Sequence, residues 1–337
     1  MNYFMRVINT NSSVVIIMSK RRVIASAPGK VILVGEHFVV RGEPAIAAAI
    51  TLRARAIVST RNDNDIIISS EDLGIKNVIN KEPISDELRP LAHVVNKLVR
   101  LSGYTGGLEV KIKSEIPPAS GMGSSAAVSV ACVAALNELL DVGLGLNDIC
   151  KIAYEAEVIV HKKPSGIDNT ISTYGGVIMF SKRSGFKRIP FDSSSFKLIL
   201  ADSGIPRNTG VMVSNVLSLY ERYPEILQPI YRSAGILANE FARALERGDI
   251  VALGELMNIN HGLLSAIGVS NKKLEELVYI ARTSGAKGAK ITGAGGGGFI
   301  VAIADVDSYE QVVNSLKSIS NRVIVADISK EGVLIED

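Results

Sequence analysis

Two glycine-rich loops and three charged side chains carry the chemistry of this sequence. The first loop, Gly121-Met122-Gly123-Ser124-Ser125-Ala126, follows Pro117-Pro118-Ala119-Ser120 and leads directly into an apolar helical stretch. Glycines let backbone amides approach a ligand without interference from a Cβ. The free N–H groups and dipole at a helix N-terminus favour an anion. Ser124 and Ser125 add hydroxyls that could cap the helix or coordinate a cation. The second loop, Gly293-Ala294-Gly295-Gly296-Gly297-Gly298, has five glycines in six residues, more than a structural turn needs. Such backbone has to pass close to a ligand or to the opposite loop.

The charged side chains stand at awkward places. In the helical pattern from Asp148 to His161, the apolar face is marked by Ile149, Ile152, Ala153, Ala156 and Val160. Glu155 falls on the solvent side. Glu157 falls at the edge of the apolar face, beside Ala153 and Cys150, where a carboxylate needs a basic partner or a metal. Asp168, in Pro164-Ser165-Gly166-Ile167-Asp168-Asn169-Thr170, is also a fair helix N-cap. Lys30 interrupts an apolar strand after Pro28-Gly29 and reads equally as a snorkelling lysine.

The elements that hold these residues are strands and helices in alternation. Val23–Ala27 and 30–36 read as extended, as does 45–58. Helical spacing predicts helices over 86–102, 126–140 and 148–161, the last with Asn147 as N-cap. Past residue 185 the order is a strand at 196–201, helical segments over 211–247, 250–258 and 272–283, two strands flanking the second glycine loop, a helix at 308–318 and a closing strand at 323–328. This second half reads as a split βαβ unit. Residues 1–20 read as an extension, 21–185 as a first domain and 186–337 as a second.

Composition narrows the classes. The 337 residues are 47% hydrophobic and 21% charged, which supports a large core and excludes disorder. The net charge of +3, from 37 basic and 34 acidic residues, lacks the basic excess of a nucleic-acid-coating protein. Cys132 and Cys150 make no disulfide framework and fit a reducing, cytoplasmic setting. No membrane span is expected. Both glycine loops match G-x-G-x-x-[GA], but neither sits between a strand and the helix-then-strand sequence of a dinucleotide fold. There is no P-loop motif and no H-R-D or D-F-G set.

Three segments, in order and at suitable spacing, resemble the GHMP kinase superfamily. They are Ala27-Pro28-Gly29-Lys30 with Gly35-Glu36-His37, the stretch Pro117 to Ala127, and Lys290-Ile291-Thr292 with the glycines through Gly298. Within it the chain is similar to the mevalonate kinases. The features are Glu157 followed by Asp168, Pro206-Arg207-Asn208-Thr209, and the stretch from Asn258 to Ser270. Galactokinases share Gly-Glu-His but continue differently from Phe38-Val39-Val40. Val34 stands where many animal mevalonate kinases have a histidine.

The resemblance implies an α+β fold with an N-terminal half like ribosomal protein S5 domain 2, a ferredoxin-like C-terminal half, and an active site in the cleft between them. It implies ATP phosphates on Pro118, Ala119, Ser120, Gly121, Met122, Gly123, Ser124 and Ser125, and Mg²⁺ on Ser125 and Glu157. Asp168 would be the base for the substrate hydroxyl, with Lys30 beside it. Glu36, His37, Ser165, Thr209, Gly293 and Ala294 would contact mevalonate. A homodimer is compatible with this reading. Alternatives are a GHMP kinase for phosphomevalonate, a sugar or homoserine, and a catalytically silent sensor on the same fold.

Overall fold

In a computed structural model the described residues are all but 1, 2, 11, 12, 21, 82, 119, 162, 163, 193 and 337; side chains before residue 22 and that of residue 161 are also left aside. The chain opens with a hairpin, β1 (Tyr3–Thr10) and β2 (Ser13–Lys20), within the expected extension. The first layer then comprises β3 (Arg22–Val34), β4 (Ala45–Arg61), β5 (Ile66–Ser70), β6 (Ile75–Val78), α1 (Arg89–Ser102), β7 (Gly107–Ser114), α2 (Ser124–Leu140), α3 (Leu146–His161), α4 (Ile167–Tyr174), β8 (Val177–Ser181) and β9 (Gly185–Ile189). The second comprises β10 (Phe196–Asp202), α5 (Thr209–Arg222), α6 (Pro224–Arg247), α7 (Ile250–Ala266), α8 (Lys272–Thr283), β11 (Gly288–Ile291), β12 (Phe299–Asp305), α9 (Tyr309–Lys317) and β13 (Val323–Ala326), and β14 (Leu334–Glu336) ends the chain.

The four strands of the second layer run antiparallel in the order β11-β12-β10-β13. This is the strand order of a ferredoxin-like sheet. The first sheet runs β14-β3-β4-β7-β5-β6, with β8 and β9 added beside β4. Strand β9 carries the first sheet on to Ile189, and β14 returns the end of the chain to pair with β3.

Helix α2 explains how the layers hold together. It is rich in alanine, and from Ala126 to Leu136 it is buried all round except at Val128. Its small side chains let it lie close to β3 and β4. One core cluster runs from α2 (Val130, Val133) through β3 and β4 to Leu200, Phe241 and Phe299 of the second layer. The first glycine loop is thereby fixed at the N-terminus of the most buried helix. Two sequence expectations shift locally. Helix α3 begins at Leu146, so Asn147 lies inside it and accepts a hydrogen bond from Tyr174 instead of capping. Val160 is exposed, because the apolar face of α3 ends with Ala156.

Candidate active site

The first glycine loop closes against the strand that carries Lys30. The backbone N–H of Lys30 donates to the carbonyl of Met122 at 2.8 Å, and Met122 is buried. Ser120 is buried too, its hydroxyl accepting from the Met122 N–H at 3.3 Å. Gly123 is the N-cap residue of α2, at φ 71°, a left-handed conformation that glycine adopts without strain. A Cβ there would lie 3.0 Å from Lys30 Cγ and 3.7 Å from Asp168 Oδ2. Loop, lysine and aspartate are therefore in contact. Ser124 and Ser125 are the first two residues of α2 and do not cap it through their side chains. Ala119 lies outside the described residues.

Asp168 is the second residue of α4, whose N-cap is Gly166. The capping role open to Asp168 is thus taken, and its Oδ1 stands 3.3 Å from Lys30 Nζ. Lys30 is not a snorkelling lysine, because it is buried. Neighbouring Asn169 is tied down by its amide, which donates to the Cys150 carbonyl at 3.2 Å. Ser165 accepts from the Ile167 N–H at 3.3 Å, bracing the start of the same helix.

Glu157 lies on the inner side of α3, as its spacing predicts, and is 4% exposed. Its Oε1 is buried without a hydrogen-bond partner. Burial, then the charge of Asp168, push its carboxyl up to about 7, against the Ser125 hydroxyl bond and the Lys30 charge. Glu155 instead faces outward to Lys97 at 2.5 Å and His93 at 3.3 Å. Beside the start of α2 opens a cavity of about 290 Å³. Leu73, Leu88, Leu91, Val128 and Val160 wall it, and Ser124 and Ser125 stand at its polar end.

Across the cleft the second glycine loop folds onto the segment after β10. Gly298 N–H donates to the Ile205 carbonyl at 2.9 Å and Gly296 N–H to that of Val269 at 2.8 Å. A Cβ at Gly297 would overlap the Ile205 carbonyl. This close approach accounts for the run of glycines. It also delivers a residue the sequence reading did not select. The Arg207 guanidinium lies where a Cβ of Gly121 or of Gly293 would be, so it bridges the two loops. Its Nη1 is buried and unpartnered. Burial lowers its pKa, against the attraction of Asp168. The available signal was the excess of glycine opposite Pro206-Arg207.

The remaining expected contacts divide. Glu36 is buried, with Oε1 paired to Lys290 and Oε2 accepting from Asn260 at 3.2 Å. Both oxygens have protein partners. His37 is buried and its Nε2–H donates to the Ala294 carbonyl at 2.8 Å, so these two residues hold each other. Thr209 is exposed at the start of α5.

Comparison with known proteins gives the family. Residues 89–176 match the GHMP kinases N terminal domain and residues 241–320 the GHMP kinases C terminal family. A mevalonate kinase of Pyrococcus abyssi is 39% identical over 334 residues, covering 94% of this chain and 98% of that protein. The chain belongs to the mevalonate kinase family of the GHMP kinases. A mevalonate kinase of Aeropyrum pernix is 37% identical over 323 residues, covering 94% of this chain and 99% of the relative. The crystal structure of L. major mevalonate kinase in complex with R-mevalonate superposes with a TM-score of 0.81 at 32% identity, over 90% of this chain and 95% of that one. A Lactococcus lactis galactokinase shares the fold at TM-score 0.78 and 20% identity, covering 94% of this chain and 95% of its own. The two matched ranges of this mevalonate kinase family member include both glycine loops.

Proposed function

We propose that this chain transfers the γ-phosphoryl group of ATP to the 5-hydroxyl of (R)-mevalonate, with Asp168 as base and Lys30 as its cationic partner. The observation that carries the reading is the contact of Lys30, Asp168 and Gly123 at the N-terminus of α2. Phosphoryl transfer asks a protein mainly for positioning and for charge opposite the transferring group. The loop amides and the α2 dipole supply a seat for phosphates, and the cavity beside Ser124 and Ser125 suits the nucleoside. Asp168 accepts the proton of the attacking hydroxyl. Lys30, 3.3 Å from that carboxylate, stabilises negative charge on the reacting oxygens.

Glu157 and Ser125 fit Mg²⁺. They are hard oxygen donors side by side, and the unpartnered Oε1 of Glu157 needs a cation or a proton. When bound, the ion neutralises phosphate charge. The two free thiols, and the lack among the described residues of any helix long and apolar enough to cross a membrane, support a cytoplasmic setting.

The test is ADP release with ATP and Mg²⁺ over a panel of mevalonate, phosphomevalonate, galactose and homoserine. Turnover with mevalonate well above the others is expected. Preference for another alcohol, or none, would overturn the substrate assignment.

A further inference from the structure

Lys290, the third residue of β11, is 0% exposed in its side chain, and Glu36, its partner, is 1% exposed. Lys290 Nζ also donates to the Ile32 carbonyl at 3.3 Å. Other bonds converge on the same stretch of chain. The Thr292 hydroxyl donates to the Ile32 carbonyl at 3.1 Å and accepts from the Ile32 N–H at 3.3 Å. Asn260 of α7 accepts from the Gly35 N–H at 3.3 Å while its amide holds Glu36. His37 sits at φ 61°, a strained position for a residue with a Cβ, and from there reaches Ala294.

The two ends of this network are informative. On one side it grips Ile32–His37, the direct continuation of the strand carrying Lys30. On the other it grips Lys290–Ala294, the start of the second glycine loop. The second of these segments runs into Gly293, against which the Arg207 guanidinium lies on its way to Gly121. A buried ion pair is a poor device for stability alone, since apolar residues of the same shape often do as well or better. It is a good device for fixing one geometry.

We propose that Lys290 is a positioning residue for the transfer: through Glu36 and the Ile32 carbonyl it sets the distance between the Lys30 strand and the glycine loop at Gly293 and Ala294. The inference rests on reading the cleft as the site of phosphoryl transfer. It adds that the registration of the two loops depends on this buried charge pair. Reacting groups displaced by about 1 Å lose roughly 10²-fold in rate, so a loosened tie shows in kcat.

The test is the double variant Lys290→Met with Glu36→Leu, which removes both charges and leaves no buried ion unpaired. Lys290→Met alone strands Glu36 and serves only as the folding comparison. Melting temperature, ATP affinity, kcat and amide hydrogen exchange are measured on the full chain. The expected result is a melting temperature at or above wild type and ATP affinity within a few-fold. With these, kcat falls at least tenfold and exchange is faster at Ile32, Gly35 and 292–298. A folded double variant with wild-type kcat, or with unchanged exchange in those segments, overturns the proposal. If the wild type phosphorylates no alcohol while the double variant still loosens both segments, the tie stands and the kinase reading fails.

Discussion

Lys30 Nζ stands 3.3 Å from Oδ1 of Asp168, with the ammonium buried and the carboxylate about one-third open to the cleft. The pair joins a strand of the first sheet to the first turn of α4, and Gly123 lets both side chains close on the first glycine loop. An ion pair so placed can hold two segments together or serve chemistry, and the two roles separate by experiment.

Lys30→Met keeps the aliphatic stem that packs on Gly123 and deletes the charge. If the ammonium stabilises charge growing in the transition state, kcat and kcat/KM fall together. The expected loss is roughly 2–4 kcal/mol, as for removing one preorganised donor from a developing oxyanion. The melting temperature without ligand should stay near wild type, because Asp168 keeps access to water. Kinetics and thermal melts on one preparation check both. A variant that is clearly less stable and only slightly slower would make the pair chiefly structural.

Glu157 predicts a pH dependence of stability. Its carboxyl lies at about 7 in the fold against an ordinary 4.5, so the folded state holds a proton that the unfolded state releases. The folded state binds more protons between those values, so this group makes stability fall as pH rises from about 4.5 through 7. The size is up to roughly 3 kcal/mol. Glu157→Gln should flatten that slope in Mg²⁺-free melts and should also raise the Mg²⁺ requirement for turnover. Glu155→Gln, on the outward face with Lys97, should do neither. Identical behaviour of the two variants would refute the inner-face assignment.

Arg207 spans the two glycine loops with a buried nitrogen lacking a partner, the setting of a guanidinium that receives an anion. Arg207→Lys keeps the charge and loses the planar fork. We expect kcat/KM to fall about tenfold or more with little change in melting temperature. Initial rates over both substrates would show which anion the fork serves. An unchanged kcat/KM would mean the guanidinium only packs.

What was legible in the sequence follows the range of each interaction. Glu157 and Glu155 were separated correctly by helical periodicity, a local signal. Val160 was misplaced by the same signal, because the packing of α3 stops before the pattern does. The glycine excess at 293–298 announced a close approach, but the approaching backbone, 205–207, lies far away in sequence. Glu36 and Lys290 are separated by 254 residues, one in the turn after β3 and the other in β11, so nothing local reports their pairing. The pairing of β14 with β3 was hidden for the same reason. Lys30 and Asp168 were joined only through the family resemblance, since neither residue carries a local mark of the other.

Asp168 acting as the base is the step on which the proposed transfer depends. Its most direct measurement is the rate of phosphoryl transfer to mevalonate by Asp168→Asn in a single turnover, with ATP affinity measured on the same protein. A base for the alcohol acts away from the nucleoside, so ATP affinity should remain within a few-fold of wild type. The transfer rate should fall by about 10²–10⁴-fold, the usual cost of losing a positioned general base. A transfer rate within a few-fold of wild type would contradict the account and leave Asp168 as a partner that merely holds Lys30 in place.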